Sequence, residues 1–403
     1  MYTTELKLKD TQVAKEIDKF LMLTGKRHWE NIIENIENNS GFFYKQYLYI
    51  QNPLASAISY YNMLCKKGKS IRHYINDRQI YFLCSNALLF NFLFKNLEDK
   101  CKNMLLGRIR ADDIRSLLFE FETIIHFFRS GASIDFLEYE DKNNSGQIYD
   151  FFIQMNNKEF EVECKYKEYD SKRKITRPAM YMLLDLITKR INIQEFNCIV
   201  SIEVKNSLTK NHIRQNKIVE RLKHKLYRNW EKSEYEEYYL EIIPIGFNGT
   251  LNTFEKVLNV IKPFYIANNH FVSLCGDNNN FFLRFLTLEK ENLVDGIYES
   301  LKKTPSQFSQ KRAAIISCYL EGIYSQDWIY LKDEGGLYNM TKHFLFKEEN
   351  NFIHSVLYAS KPEPSFKESL SDNKKPILTF KNPYTTFYKE FNTKDLINLY
   401  VLE

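Results

Sequence analysis

Apolar positions in the first hundred residues recur at helical spacing. Val13, Ile17, Phe20 and Leu21 make one such stripe, and Trp29, Ile32, Ile33 and Ile36 make a second. Asn52-Pro53 starts another segment, and the apolar run Tyr81–Phe94 predicts a buried helix, since it is too short to span a bilayer and is broken by Asn86 and Asn91. From 113 a stripe of Ile114, Leu117, Leu118, Phe121, Ile124, Ile125 and Phe128 predicts a helix closed by Gly131. The period then drops to two. Strands are predicted over 134–139, 148–155 and 159–166, with a turn at 141–146 and a hairpin at Asn156-Asn157.

A helix over 178–193 and a buried strand over 198–204 follow. Beyond 205 the chain alternates. Helices are expected near 208–232, 251–262, 290–303 and 336–347, and strands near 238–245, 270–275, 281–288, 313–320 and 352–359. Residues 361–376, rich in Lys, Pro, Ser and Glu, read as an exposed loop. The expectation is an α/β fold in three regions: a helical region 1–110, a core 111–205, and an α/β extension 206–403 that continues the same sheet or stands beside it.

Composition narrows this little. The 403 residues are enough for a large core, and 44% hydrophobic with 27% charged is ordinary for a globular protein. A net charge of +5 permits an anionic partner without demanding one. The seven cysteines are scattered with no CxxC, which argues against a disulfide framework or zinc knuckle and for a reducing cytoplasm. The N-terminal residues show no apolar signal segment, and no membrane partner is expected. There is no GxxxxGK[ST], no GxGxxG after a strand and no GxSxG.

The chemistry concentrates between Asp150 and Lys165. Alternation along a strand sends Glu163 and Lys165 to one face, and Val162 and Cys164 to the other. With Asp150 at the end of the preceding strand, two carboxylates and an ammonium converge. Such a group can hold a divalent metal and a water beside it, the equipment for cutting a phosphodiester bond. Asp150 and Glu163 are the expected ligands of Mg²⁺ (or Mn²⁺), with the backbone carbonyl of Cys164 as a third oxygen. Lys165 would orient or deprotonate the attacking water. The plain alternative is a solvated strand face with Asp150 in a turn. Glu161 and Lys167 share that face and read as ordinary exposed charges.

The run Leu117-Leu-Phe-Glu120-Phe-Glu122…Gly131, then Asp150, then Glu163-Cys-Lys165, resembles the PD-(D/E)xK nuclease superfamily. The resemblance covers about 113–205, and Tyr149 stands where that superfamily has proline. It implies a restriction-endonuclease-like mixed central sheet flanked by helices. Glu120 becomes the helix carboxylate, with Glu122 as the alternative, and Asp150, Glu163 and Lys165 become catalytic. It implies a metal-dependent endonuclease acting most readily on DNA, in bacterial restriction or antiviral defence.

Expected nucleic-acid contacts are Lys167, Lys172, Arg173, Lys174 and Arg177. The basic segment 205–228 is either a further contact or a solvated amphipathic helix. Two other readings stay open: a ribonuclease, and a nucleic-acid-binding or structural protein on the same fold that does not cut. The N-terminal helices would serve oligomerisation or a protein partner.

Overall fold

A computed structural model describes residues 10–391 apart from 40, 70–76, 98, 112–113, 136–149, 169, 171–172, 209, 229, 247–253, 262, 264–269, 276–279, 289–292, 323–330, 332–335 and 361–376. Seven helices come first: α1 Asp10–Thr24, α2 Lys26–Glu37, α3 Phe42–Gln51, α4 Pro53–Lys66, α5 Arg78–Asn96, α6 Asp99–Ile109 and α7 Arg115–Arg129. Their stripes meet: Ile17, Phe20, Trp29, Leu54, Leu83 and Phe90 are buried in one core that continues under the first sheet. α7 ends as its glycine predicts. Gly131 has φ +83°, the Ala132 N–H donates to the Phe127 carbonyl, and the Gly131 N–H donates to that of Phe128. The apolar stripe differs at its last turn, where Phe127 is buried against Phe151 and Phe128 is exposed.

Three antiparallel strands follow: β1 Ser133–Asp135, β2 Phe151–Met155 and β3 Lys158–Lys167. The end of the first predicted strand and the turn at 141–146 lie outside the described residues. Asn156 and Asn157 close the hairpin with φ of 51° and 59°, the double positive φ that a two-residue loop needs to match strand twist.

The next predicted strand, β4 Cys198–Val204, does not join this sheet. It is the centre of a second sheet ordered β5-β6-β4-β8-β7, with β5 Ser233–Glu234, β6 Tyr238–Pro244, β7 His270–Cys275 and β8 Asn280–Thr287. Helices α8 Arg177–Arg190 and α9 His212–Arg228 pack on one face of it, and α10 Phe254–Ile261 on the other.

The chain then returns through α11 Leu293–Lys303 and a 3₁₀ turn, Pro305–Gln307, to the first sheet. β9 Ala313–Leu320 pairs parallel with β3. After α12 Leu337–Leu345, β10 Ile353–Ala359 pairs parallel with β9, and β11 Ile377–Lys381 closes the edge. The expected core 111–205 is therefore corrected: the first sheet draws its strands from 133–167 and 313–381, and the second sheet lies between them in sequence. Two apolar strands compete for the place beside β3, and loop closure is a weak judge between them, because its cost grows only logarithmically with length. α7 covers one face of the first sheet, and α11 and α12 cover the other. Among the described residues no helix is long and apolar enough to cross a membrane.

Candidate active site

β3 is the spine of the site. Phe160 and Val162 are fully buried toward α7, and Cys164 follows them, so Glu161, Glu163 and Lys165 face the other way, toward α11. The register pairs Phe151 with Val162. The paired ladder ends there, and Asp150 is the residue just before it.

Asp150 sits where β2 begins and its own side chain finishes the ladder. Its N–H donates to the Val162 carbonyl (3.1 Å), and its Oδ2 accepts the Cys164 N–H (2.6 Å), so the carboxylate stands in the plane of the sheet. A strand residue turns its N–H and C=O to the same edge. The Cys164 carbonyl therefore faces the edge where Asp150 lies.

Glu163 is 3% exposed, and its Oε1 accepts from Lys165 Nζ at 2.5 Å. Lys165 Nζ also donates to Gln307 Oε1 at 2.5 Å. From the α7 side, Glu120 is buried and ion-paired with Arg108 of α6. Glu122 is half-buried. Electrostatics link the two sides of the strand. Burial first, then the charges of Asp150, Glu120 and Glu163, hold the Cys164 thiol well above its ordinary range. Burial also raises the Asp150 carboxyl, against the Cys164 N–H, Arg108 and Lys165, which pull it down.

The donor set suits a hard divalent cation. Mg²⁺ takes one or two carboxylates and keeps several waters, so the carboxylates of Asp150 and Glu163 with the Cys164 carbonyl are sufficient in kind. A buried carboxyl held above its usual range is also short of positive charge, which a cation would supply. No three His, Cys, Asp or Glu side chains among the described residues stand close enough to form a metal cluster by themselves.

Several expectations change. Glu161 is not an exposed charge: it is fully buried, and the Ser309 N–H (2.8 Å) and hydroxyl both donate to it, with Arg312 at 3.6 Å. Arg177, expected to meet nucleic acid, is 1% exposed and holds Asp170 and Glu321 instead. Lys167, Arg173 and Lys174 are half-buried, and Lys172 lies outside the described residues. On α9, Lys225 is buried against the Glu231 carbonyl and Ser233, whereas Lys217, Lys223 and Arg228 are exposed.

Arg108, Gln307, Ser309 and Arg312 were not found from sequence. Gln307 is 142 positions from Lys165 and belongs to no motif, so nothing local marks it. Comparison with protein-family models, with curated proteins and with solved structures returns no match.

Proposed function

We propose that this chain is a metal-dependent nuclease on a restriction-endonuclease-like core, cutting phosphodiester bonds in DNA. One observation carries the reading: the Asp150 carboxylate accepts the N–H of Cys164, the residue between Glu163 and Lys165, and Lys165 is bonded to Glu163. The order α7, antiparallel meander, crossover helix α11 and parallel β9 supports it, with residues 313–320 taking the place expected of 198–204.

Asp150, Glu163 and the Cys164 carbonyl would hold Mg²⁺, which when bound supplies Lewis-acid charge at the phosphate and a water of lowered pKa. The Cys164 N–H fixes the Asp150 carboxylate through Oδ2. Glu163 holds the Lys165 ammonium, which orients the attacking water and offsets charge on the phosphate. Glu120 is held by Arg108 and acts electrostatically on Cys164. DNA as substrate is what the motif resemblance implies.

The test compares DNA and RNA with Mg²⁺, Mn²⁺ or EDTA, using the wild type and Lys165→Ala. The expected outcome is metal-dependent DNA cleavage that falls at least about 100-fold in the variant while its circular dichroism shows that it still folds. Cleavage retained by Lys165→Ala, or unaffected by EDTA, would overturn the assignment. RNA cleavage alone would replace the substrate, and salt-dependent binding without cleavage would leave a binding protein.

A further inference from the structure

The return path from the second sheet crosses the face of β3 that carries Glu163 and Lys165. This strap is anchored on both sides of Gln307. Thr304 is fully buried, its N–H donates to the Leu301 carbonyl, and its hydroxyl donates to that of Ser300 (2.9 Å). Phe308 is 1% exposed and packs edge-on against Phe352. Ser309 ties the strap to Glu161, two positions before Glu163 on the same face. The 3₁₀ turn between these anchors leaves the Gln307 side chain little freedom in where it reaches.

What it reaches is the catalytic lysine. An ammonium only donates, so the carboxamide must present its oxygen, and Oε1 lies 2.5 Å from Nζ. Glu163 Oε1 takes a second N–H from the other side. Two of the three N–H bonds are then directed, which aims the third. Lysine carries four rotatable carbons, and a single partner would leave its head free to swing.

We infer that Gln307 is a positioning residue that aims Lys165, so that the strap leading from the second sheet completes the site on β3. The inference rests on the nuclease reading for its catalytic consequence but not for the contact itself. A neutral amide suits the role: it fixes direction without placing a second full charge against the lysine. Methionine at 307 would match the length and remove the acceptor, whereas glutamate would keep an oxygen in place.

The experiment uses the full chain with Gln307→Met and Gln307→Glu. Trace acetylation of Lys165 in the metal-free protein, read by mass spectrometry, reports whether the ammonium is held. Steady-state cleavage with Mg²⁺ reports what holding it does. For Gln307→Met, Lys165 should label several-fold faster, and kcat should fall about 10- to 100-fold, as for a misplaced catalytic group, with KM within about two-fold. Gln307→Glu should resemble the wild type in labelling and recover most of kcat. Unchanged labelling and kcat in Gln307→Met would overturn the inference. So would equal losses in both variants with a lowered melting temperature, which would make Gln307 merely structural. A wild type that cuts nothing would remove the catalytic role along with the nuclease reading, while faster labelling in Gln307→Met would still show the contact.

Discussion

Asp150, just ahead of β2, bears an electrostatic burden that the apolar strand does not. Its pKa is raised, chiefly by burial, so its ionised form opposes folding. The associated stability is fully present below the ordinary carboxylate range and is lost as pH rises through the raised value. Asp150→Asn keeps an oxygen for the Cys164 N–H and removes the charge. In EDTA at pH 8 it should melt at a higher temperature than the wild type, and the difference should narrow toward pH 4. Millimolar Mg²⁺ should raise the wild-type melting temperature and leave that of Asp150→Asn unchanged.

His354 shows the opposite sign. It is fully buried on β10 between Phe160 and Phe391, and burial lowers its pKa to about 4. The unfolded chain takes up this proton near pH 6.5 and the folded protein does not, so stability falls as pH drops from about 6.5 toward 4. The full effect is about 3 kcal/mol. Urea melts of wild type and His354→Gln across that window should show the variant with the flatter profile.

At the scale of elements, α3 has no N-cap side chain of its own. Gly41 occupies that position, and the cap comes from α8: Asp185 accepts the Phe43 N–H at 2.8 Å and the Tyr44 N–H at 2.9 Å. The glycine makes room, since a Cβ there would lie 2.0 Å from Asp185 Oδ2. Asp185→Ala should cost about 1–2 kcal/mol, the usual loss for a cap. Gly41→Ala should destabilise in the same direction by displacing the same carboxylate. Chemical denaturation followed by circular dichroism checks both. A propensity reading of 41–51 finds the helix and misses its cap, because the capping group is more than 140 positions away.

For the whole molecule, the two sheets are joined by a buried ion network. Arg177 at the start of α8 bonds Asp170 and Glu321, and Arg115 at the start of α7 bonds the same Glu321 at 3.0 Å and Glu168 at 3.1 Å. Arg115 also lies over the Tyr166 ring, which stacks on Tyr319. Glu321→Ala leaves both buried guanidinium groups short of a shared partner. It should cost about 3–5 kcal/mol, as removing one member of a buried pair usually does. Urea unfolding monitored by intrinsic fluorescence gives the value. A shift under about 1 kcal/mol would mean that water replaces the carboxylate.

Local pattern by itself determined most of the described elements and the facing of the side chains along β3. Helical stripes, the Gly131 cap, the Asn-Asn hairpin and the alternation that parts Glu163 and Lys165 from Cys164 all depend on contacts within a few residues, which periodicity and turn chemistry report directly. Tertiary structure alone decided which strand stands beside β3, because 198–204 and 313–320 are both apolar and chain length barely discriminates between them. It also decided which charges are buried: Glu161 and Arg177 look like surface residues until partners from distant segments arrive, and Lys225 until the chain after α9 folds back onto it. Gln307 at Lys165, Asp185 at α3 and Glu321 between two arginines share one physical cause. Each satisfies a polar group across more than a hundred residues of chain, and a hydrogen bond depends on separation in space rather than along the sequence.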